Sequence, residues 1–277
     1  MRGLNLGCGY RFHPDWVNID AVSLNVQVLA HDLNKGIPFP DSSFDVLYHS
    51  HLLEHFKKES ALDFLQECYR VLRTSGIIRV VVPDLEQIAR IYLRALEKSL
   101  QGHEEWQHHY NWMMLELYDQ AVRVRTGGDM LDYLRQQPIP NEKFVFQRIG
   151  SEARAMLKSI RESNSIGRDR RKIARNSLVR IRTILRTVRV KFLKMSLSQE
   201  DYRALEVGQF RASGEIHQWM YDRYSLARIL KEAGFKNPRA VGASESQIPA
   251  WTEYNLDTEI DGRVCKPDSL FMEASKF

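Results

Sequence analysis

The chain has 277 residues, 43% of them hydrophobic and 27% charged, with 15 glycines and 9 prolines. That composition fits an ordinary globular protein and excludes collagen, a disordered chain and a disulfide-framed miniprotein. The net charge of +5 is local: residues 154–194 carry fourteen Lys/Arg against Glu162 and Asp169, so the remainder is acidic and the whole chain does not read as a nucleic-acid binder.

Short strand and helix signals alternate through the first part. Gly3–Leu6 is an apolar run ending in Gly7-Cys8-Gly9. Residues 16–20 form a second run, ending in Asp20, and residues 26–32 a third, ending in Asp32. A turn-rich stretch at 38–43 leads into a strand at 44–49 and then His49-Ser50-His51. Leu62, Leu65, Tyr69 and Leu72 lie at helical spacing within 58–73. Gly76 reads as the stop of that helix, and 77–82 as an apolar strand ended by Pro83. Such alternation predicts an α/β fold with a parallel sheet covered on both faces.

Residues 85–135 have mostly helical spacing, and 154–197 form the basic stretch. The α/β rhythm returns with a helix at 224–234 and strands at 238–242 and 269–275. The simplest parse is a core in two parts, 1–96 and 215–277, interrupted by a mainly helical insertion at 97–214. No run approaches about 18 uninterrupted apolar residues, so no spanning helix is expected. The N-terminus lacks the apolar region of a secretory signal. Cys8, Cys68 and Cys265 form no C-x-x-C pair and read as reduced thiols in a cytosolic protein.

Ligands of open α/β sheets bind outside the carboxyl ends of the strands. Here those ends carry Gly7-Cys8-Gly9, Asp20, Asp32 and His49–His51. Glycines let backbone approach a ligand closely. An acid after the second strand can accept both hydroxyls of a ribose, and one after the third can meet an adenine amino group. Together these residues suit an adenosine-containing cofactor.

With Leu4-Asn5-Leu6-Gly7-Cys8-Gly9, Val17–Asp20, Ile37–Val46 running into Leu53-Glu54-His55, Arg70-Val71-Leu72, Gly76–Asp84, His217–Tyr221 and Ala233-Gly234-Phe235, the sequence resembles the class I S-adenosylmethionine-dependent methyltransferases. It looks most like their type 11 group, often found near cell-surface polysaccharide genes. The resemblance covers about 1–96 and 215–277. It implies a Rossmann-like sheet of seven strands with the last antiparallel, and S-adenosyl-L-methionine as cofactor. Asn5, Gly7, Cys8 and Gly9 would lie at its methionine end, Asp20 on the ribose, and Asp32 with Leu33 near the adenine. His49, Ser50 and His51 would line the methyl-transfer side. Two departures stand out: Asn5 occupies a place that is usually an acid, and only seven residues separate Gly9 from Val17, too few for a helix of three turns.

An alcohol acceptor needs a general base. The candidates are His217, His51 and Asp84, with His217 favoured because Trp219 and Tyr221 beside it can stack on a sugar or aromatic acceptor. His51-Leu52-Leu53-Glu54-His55 also matches the H-x-x-E-H pattern of zinc hydrolases. It follows a strand directly, however, so packing and local hydrogen bonds are the expectation, with no metal.

In the insertion, Tyr118, Asp119, Gln120, Arg123, Gly127 and Gly128 cluster, and Arg123 can bind a phosphate or carboxylate. His103, His108 and His109 read as an exposed helical face. Leu178, Ile181, Leu185, Val188, Phe192 and Met195 form a stripe, with Arg182, Arg186, Arg189, Lys191 and Lys194 mostly off it. That is a basic amphipathic helix, packed on the core, lying on an anionic membrane, or meeting RNA or another acidic partner, though no nucleic-acid motif accompanies the charge. The leading reading is a methyltransferase, cytoplasmic or peripheral to the inner face of a membrane, acting on an oxygen of a glycan or related small molecule. The second is a non-catalytic cofactor- or partner-binding protein on the same scaffold.

Overall fold

The computed structural model describes residues 1–23, 25–165 and 195–277. Seven strands, β1 (Gly3–Leu6), β2 (Val17–Asp20), β3 (Val28–Ala30), β4 (Phe44–Ser50), β5 (Leu72–Pro83), β6 (Lys236–Val241) and β7 (Ser269–Ser275), form one sheet in the order β3-β2-β1-β4-β5-β7-β6. β1 to β5 run parallel, and β7 pairs antiparallel with both β5 and β6. The expected Rossmann-like α/β sheet with an antiparallel last strand is present.

Strand alternation divides the side chains between two faces. One face carries Leu47, Ile78, Val80, Val82, Leu270 and Met272 beneath two helices, α1 (Lys58–Val71) and a late helix at Arg223–Glu232. In α1, Ala61, Phe64, Leu65, Cys68 and Val71 recur at helical spacing and are all buried. The late helix starts at a capping box, in which Asp222 Oδ1 accepts from Ser225 N at 2.7 Å and Ser225 Oγ accepts from Asp222 N at 3.0 Å. Gly76 lies within β5, where a Cβ would stand 2.8 Å from the Arg73 carbonyl oxygen. The glycine that reads as a helix stop therefore serves a close backbone approach, and the strand begins at Leu72.

The opposite face is covered, among the described residues, by a connection whose one helical turn is the 3-10 turn Trp251–Tyr254. Val46, Tyr48, Val81 and Phe271 pack there against Trp16 and against Ala243, Ile248, Trp251 and Leu256 of the long β6–β7 connection. Arg79, fully buried, ties that connection down. It donates to Asp257 Oδ2 and Glu273 Oε1, each at 2.7 Å, and to the carbonyls of Gly242, Ala243 and Glu245.

After β5 the chain leaves the sheet for α2 (Leu85–Leu100), α3 (Glu104–Val122), α4 (Gly128–Leu134) and α5 (Glu142–Ser165). Ile88 and Ala95 of α2 belong to the same core as Trp112, Met113, Met130, Leu134, Val145 and Ile149, so the division at 96/97 falls inside a helix of this unit. α6 (Gln199–Arg211) precedes the return, and α7 is the late helix at Arg223–Glu232. Exit and return meet: Asp84 bridges Tyr221, and Leu85 N donates to the Tyr221 carbonyl at 3.0 Å. Of the expected basic helix 178–195, all but Met195 lies outside the described residues. No described helix is long and apolar enough to cross a membrane.

Candidate cofactor and acceptor site

β1 ends in a turn that needs glycine. Gly7 and Gly9 have φ of 62° and 52°, a region L side chains rarely adopt, and the space beside Gly9 is open. Cys8 N donates to the Ile19 carbonyl at 3.1 Å and Gly9 N to Asp20 Oδ2 at 2.8 Å, which fastens the turn to the end of β2. Asn5, Gly7, Cys8, Gly9, Arg11, Tyr48, Ser50, His51 and Lys266 line a cavity of about 210 Å³. Pockets for whole small molecules start at about 300 Å³, so this cavity suits one end of a cofactor.

The structure therefore gathers Asn5, Gly7, Cys8, Gly9, Ser50 and His51 around one space. Asp20 stands behind Gly9, half-buried, and its other oxygen accepts from Val22 N at 3.3 Å. Asp32 is exposed and caps a single turn at Leu33–Lys35, accepting from Asn34 Nδ2 at 3.0 Å and Asn34 N at 3.1 Å; these bonds hold its carboxyl below the usual range. Leu33 packs half-buried on the core. His49 is not in the cavity. Alternation puts it on the opposite face from Tyr48 and Ser50, fully buried with its ring edge-on to Phe64 at 5.4 Å. Neither ring nitrogen has a hydrogen-bond partner among the described residues, and burial pushes its pKa down to about 3.

Side chains replace the absent helix between β1 and β2. Asn5 Nδ2 donates to the Arg11 carbonyl at 3.1 Å and to Asn18 Oδ1 at 3.2 Å, while Asn18 Nδ2 donates to the His13 and Trp16 carbonyls at 2.9 Å. Arg11 in turn donates to the Asn255 carbonyl at 3.1 Å and to Glu259 Oε1 at 2.8 Å. Asn5 Oδ1 is buried at the cavity wall and accepts no hydrogen bond from the described residues.

Beyond the cavity lies a polar seam between the sheet and the helical unit. His51 has φ of 51°; its Nε2 lies 2.8 Å from Ser269 Oγ and its Nδ1 3.4 Å from Glu54 Oε1. Burial first, then Lys266, His217 and His55, keep His51 well below the ordinary histidine pKa. His55 belongs to a single turn at Leu53–His55, and α1 starts only at Lys58. His51 and His55 thus share no helical face, and the H-x-x-E-H pattern lacks the geometry a zinc hydrolase needs.

His217 is buried, donates its backbone N–H to the Gln120 carbonyl at 2.9 Å and meets the His55 ring edge-on at 5.0 Å. Burial, then His55, Arg123 and Lys266, push it down to about 3. It is not among the cavity-lining residues. Asp84 Oδ1 caps α2 by accepting from Gln87 N at 3.1 Å, and burial raises its carboxyl. Glu54 and Lys266 belong to this constellation; sequence reasoning set Glu54 aside with the zinc pattern and did not single out Lys266. Glu54 sits in an apolar turn, and Lys266 arrives from the far end of the chain.

The insertion cluster is occupied structurally. Arg123 donates to the Glu215 carbonyl at 2.8 Å, and Asp119 Oδ1 accepts from Asp129 N at 2.7 Å at the start of α4. His109 stacks on Phe144 at 4.0 Å.

Residues 4–80 match a family described as a methyltransferase domain. No curated protein matches the chain. Among solved structures, the complex of the Haloferax volcanii Trm112 methyltransferase activator with a putative methyltransferase is 11% identical over 99% of this chain and 81% of that one, with a TM-score of 0.37. A SAM dependent methyltransferase from Archaeoglobus fulgidus is 11% identical over 99% of this chain and 86% of that one, with a TM-score of 0.37. The 1,6-didemethyltoxoflavin-N1-methyltransferase of Burkholderia thailandensis, bound to S-adenosylhomocysteine, is 17% identical over 30% of this chain and 45% of that one, with a TM-score of 0.26. At these scores no residue is placed by correspondence.

Proposed function

We propose that this chain, which carries a class I S-adenosylmethionine-dependent methyltransferase domain, moves the methyl group of that cofactor to an oxygen of a glycan or a related small molecule. The observation that carries the reading is the cavity at the glycine turn, with a half-buried, neutral His51 in its wall. The open space beside Gly9 leaves room for the methionine end, and Asn5 Oδ1, unsatisfied among the described residues, is an acceptor for its ammonium. Asp20 is the ribose ligand, and Asp32 with Leu33 marks the adenine side. The cofactor supplies an electrophilic methyl on a sulfonium.

The chain's own work is orientation and proton handling. An acceptor oxygen must stand about 3–3.5 Å from the methyl carbon, in line with the bond that breaks. His51 is the first choice of base: it lines the cavity and is neutral, and the Glu54 carboxylate 3.4 Å away stabilises the imidazolium once a proton arrives. His217 and Asp84 stand further from the cavity as alternatives. The glycan preference rests on the type 11 resemblance and on Trp219, 40% exposed beside the re-entry. The membrane role of 178–195 rests on its sequence pattern, and vesicle co-sedimentation tests it.

Methyl-labelled S-adenosylmethionine, offered with hydroxyl, amine and thiol acceptors, tests the reaction. Label on a hydroxyl, lost in His51→Ala, supports the proposal. A protein that binds S-adenosylhomocysteine but labels nothing favours the non-catalytic binder, a reading the missing β1–β2 helix also suits.

A further inference from the structure

We propose that Glu54, His55 and His217 form a binding site for a divalent transition-metal ion. The ligands come from two places. Glu54 and His55 sit in the turn after β4, and His217 lies on the return from the helical unit; the Gln218 and Trp219 amides donate to the Glu54 carbonyl at 2.7 and 3.2 Å and hold the two segments together. One donor atom from each of the three side chains lies within 4.8 Å of the others. Two imidazoles with one carboxylate are a ligand set suited to zinc, cobalt and iron(II).

The hydrogen bonding of His55 supports the assignment. Its Nδ1 meets the Ile216 carbonyl at 3.1 Å. A carbonyl only accepts, so Nδ1 carries the proton and Nε2 is left with a lone pair. Metal-bound histidines are oriented by this same kind of contact. His51, 3.4 Å from Glu54 Oε1, supports the carboxylate from its other side. Bonds of about 2.0–2.2 Å to a metal place its ligands roughly 3.3 Å apart, so the cluster closes by side-chain rotation of Glu54 and His217.

Arg123 and Lys266 also face the seam, and their charge lowers the affinity the three ligands would otherwise give. Arg123 is partly neutralised by Glu215, 3.7 Å away. His55 lines a cleft of about 660 Å³ between its turn, α6 and residues 214–218, which gives an ion a path to the site. This set differs from the H-x-x-E-H pattern: Glu54 is a ligand rather than a base, and His217 takes the place of His51.

The test does not depend on methyl transfer. Full-length protein, stripped with a chelator, is titrated with cobalt(II) and followed by visible absorption, with circular dichroism as the check of folding. The site predicts d–d bands that saturate at one equivalent and disappear on adding zinc(II). His217→Ala and Glu54→Gln should each weaken binding by more than the roughly 10–100-fold that loss of an outer-shell contact costs, and His51→Ala should weaken it less than either. Absence of a saturable band in the folded wild type overturns the proposal without reference to any variant. So does wild-type affinity in both His217→Ala and Glu54→Gln.

Discussion

The two faces of the sheet are held by different physics. On one, α1 and α7 lay hydrocarbon on hydrocarbon, from Leu47 and Val80 to Phe64, Leu65 and Leu226. On the other, a connection without α-helices is held by aromatic rings and by one buried guanidinium. The first needs only a periodic sequence. The second needs partners that meet across most of the chain, since Arg79 and Asp257 are 178 residues apart. The difference teaches how a β1–β2 connection too short for a helix is accommodated. Residues 242–264 occupy that side, and Arg11 anchors the connection to them through Asn255 and Glu259.

Breaking the ionic face should cost most. Arg79→Met leaves Asp257 and Glu273 buried without their cation and should destabilise by about 3–5 kcal/mol, read by urea denaturation. Replacing all three with apolar residues should recover most of that loss. The helical face should answer differently: Leu65→Ala removes buried hydrocarbon and should cost about 2–5 kcal/mol, with no pair whose joint replacement rescues it.

Acid should then probe the buried histidines. His49 and His217 are both lowered from 6.5 to about 3, so between those values the unfolded chain binds protons that the folded one refuses. Their contribution is intact above about pH 6.5 and is lost progressively as pH falls towards 3. His49→Leu should flatten the acid side of the stability profile, measured by denaturation at neutral pH and at about pH 4.5. The smallest stability effect is expected at the joint between the faces. Arg11→Ala breaks a partly exposed ion pair and should cost no more than about 1 kcal/mol. It should nevertheless weaken S-adenosylhomocysteine binding in calorimetry, because Arg11 both lines the cavity and anchors residues 10–16.

What was legible in the sequence was local. The buried positions of α1, the glycine turn and the span of β7 follow from spacing over a few residues. The match to the methyltransferase domain covers the same stretch as the four strand-end signals. What escaped was set by long-range packing. His49 faces inward because Tyr48 and Ser50 take the other face, and an apolar run with both faces buried does not announce which face is which. Gly76 looks like a helix stop and is a close approach inside a strand. The seam of Glu54, His55, His217 and Lys266 exists only once residues more than 160 apart are brought together, as His55 and Ile216 show.

The central claim is that the glycine turn and Asp20 hold an adenosyl cofactor. Isothermal titration of the purified protein with S-adenosylhomocysteine, beside Asp20→Ala, tests it most directly. The account predicts one equivalent bound by the wild type. It also predicts strong weakening in the variant, because hydrogen bonds to a charged group contribute about 1.5–3 kcal/mol each. A folded wild type that gives no binding heat across several temperatures, or an Asp20→Ala protein that binds as tightly as the wild type, would contradict it.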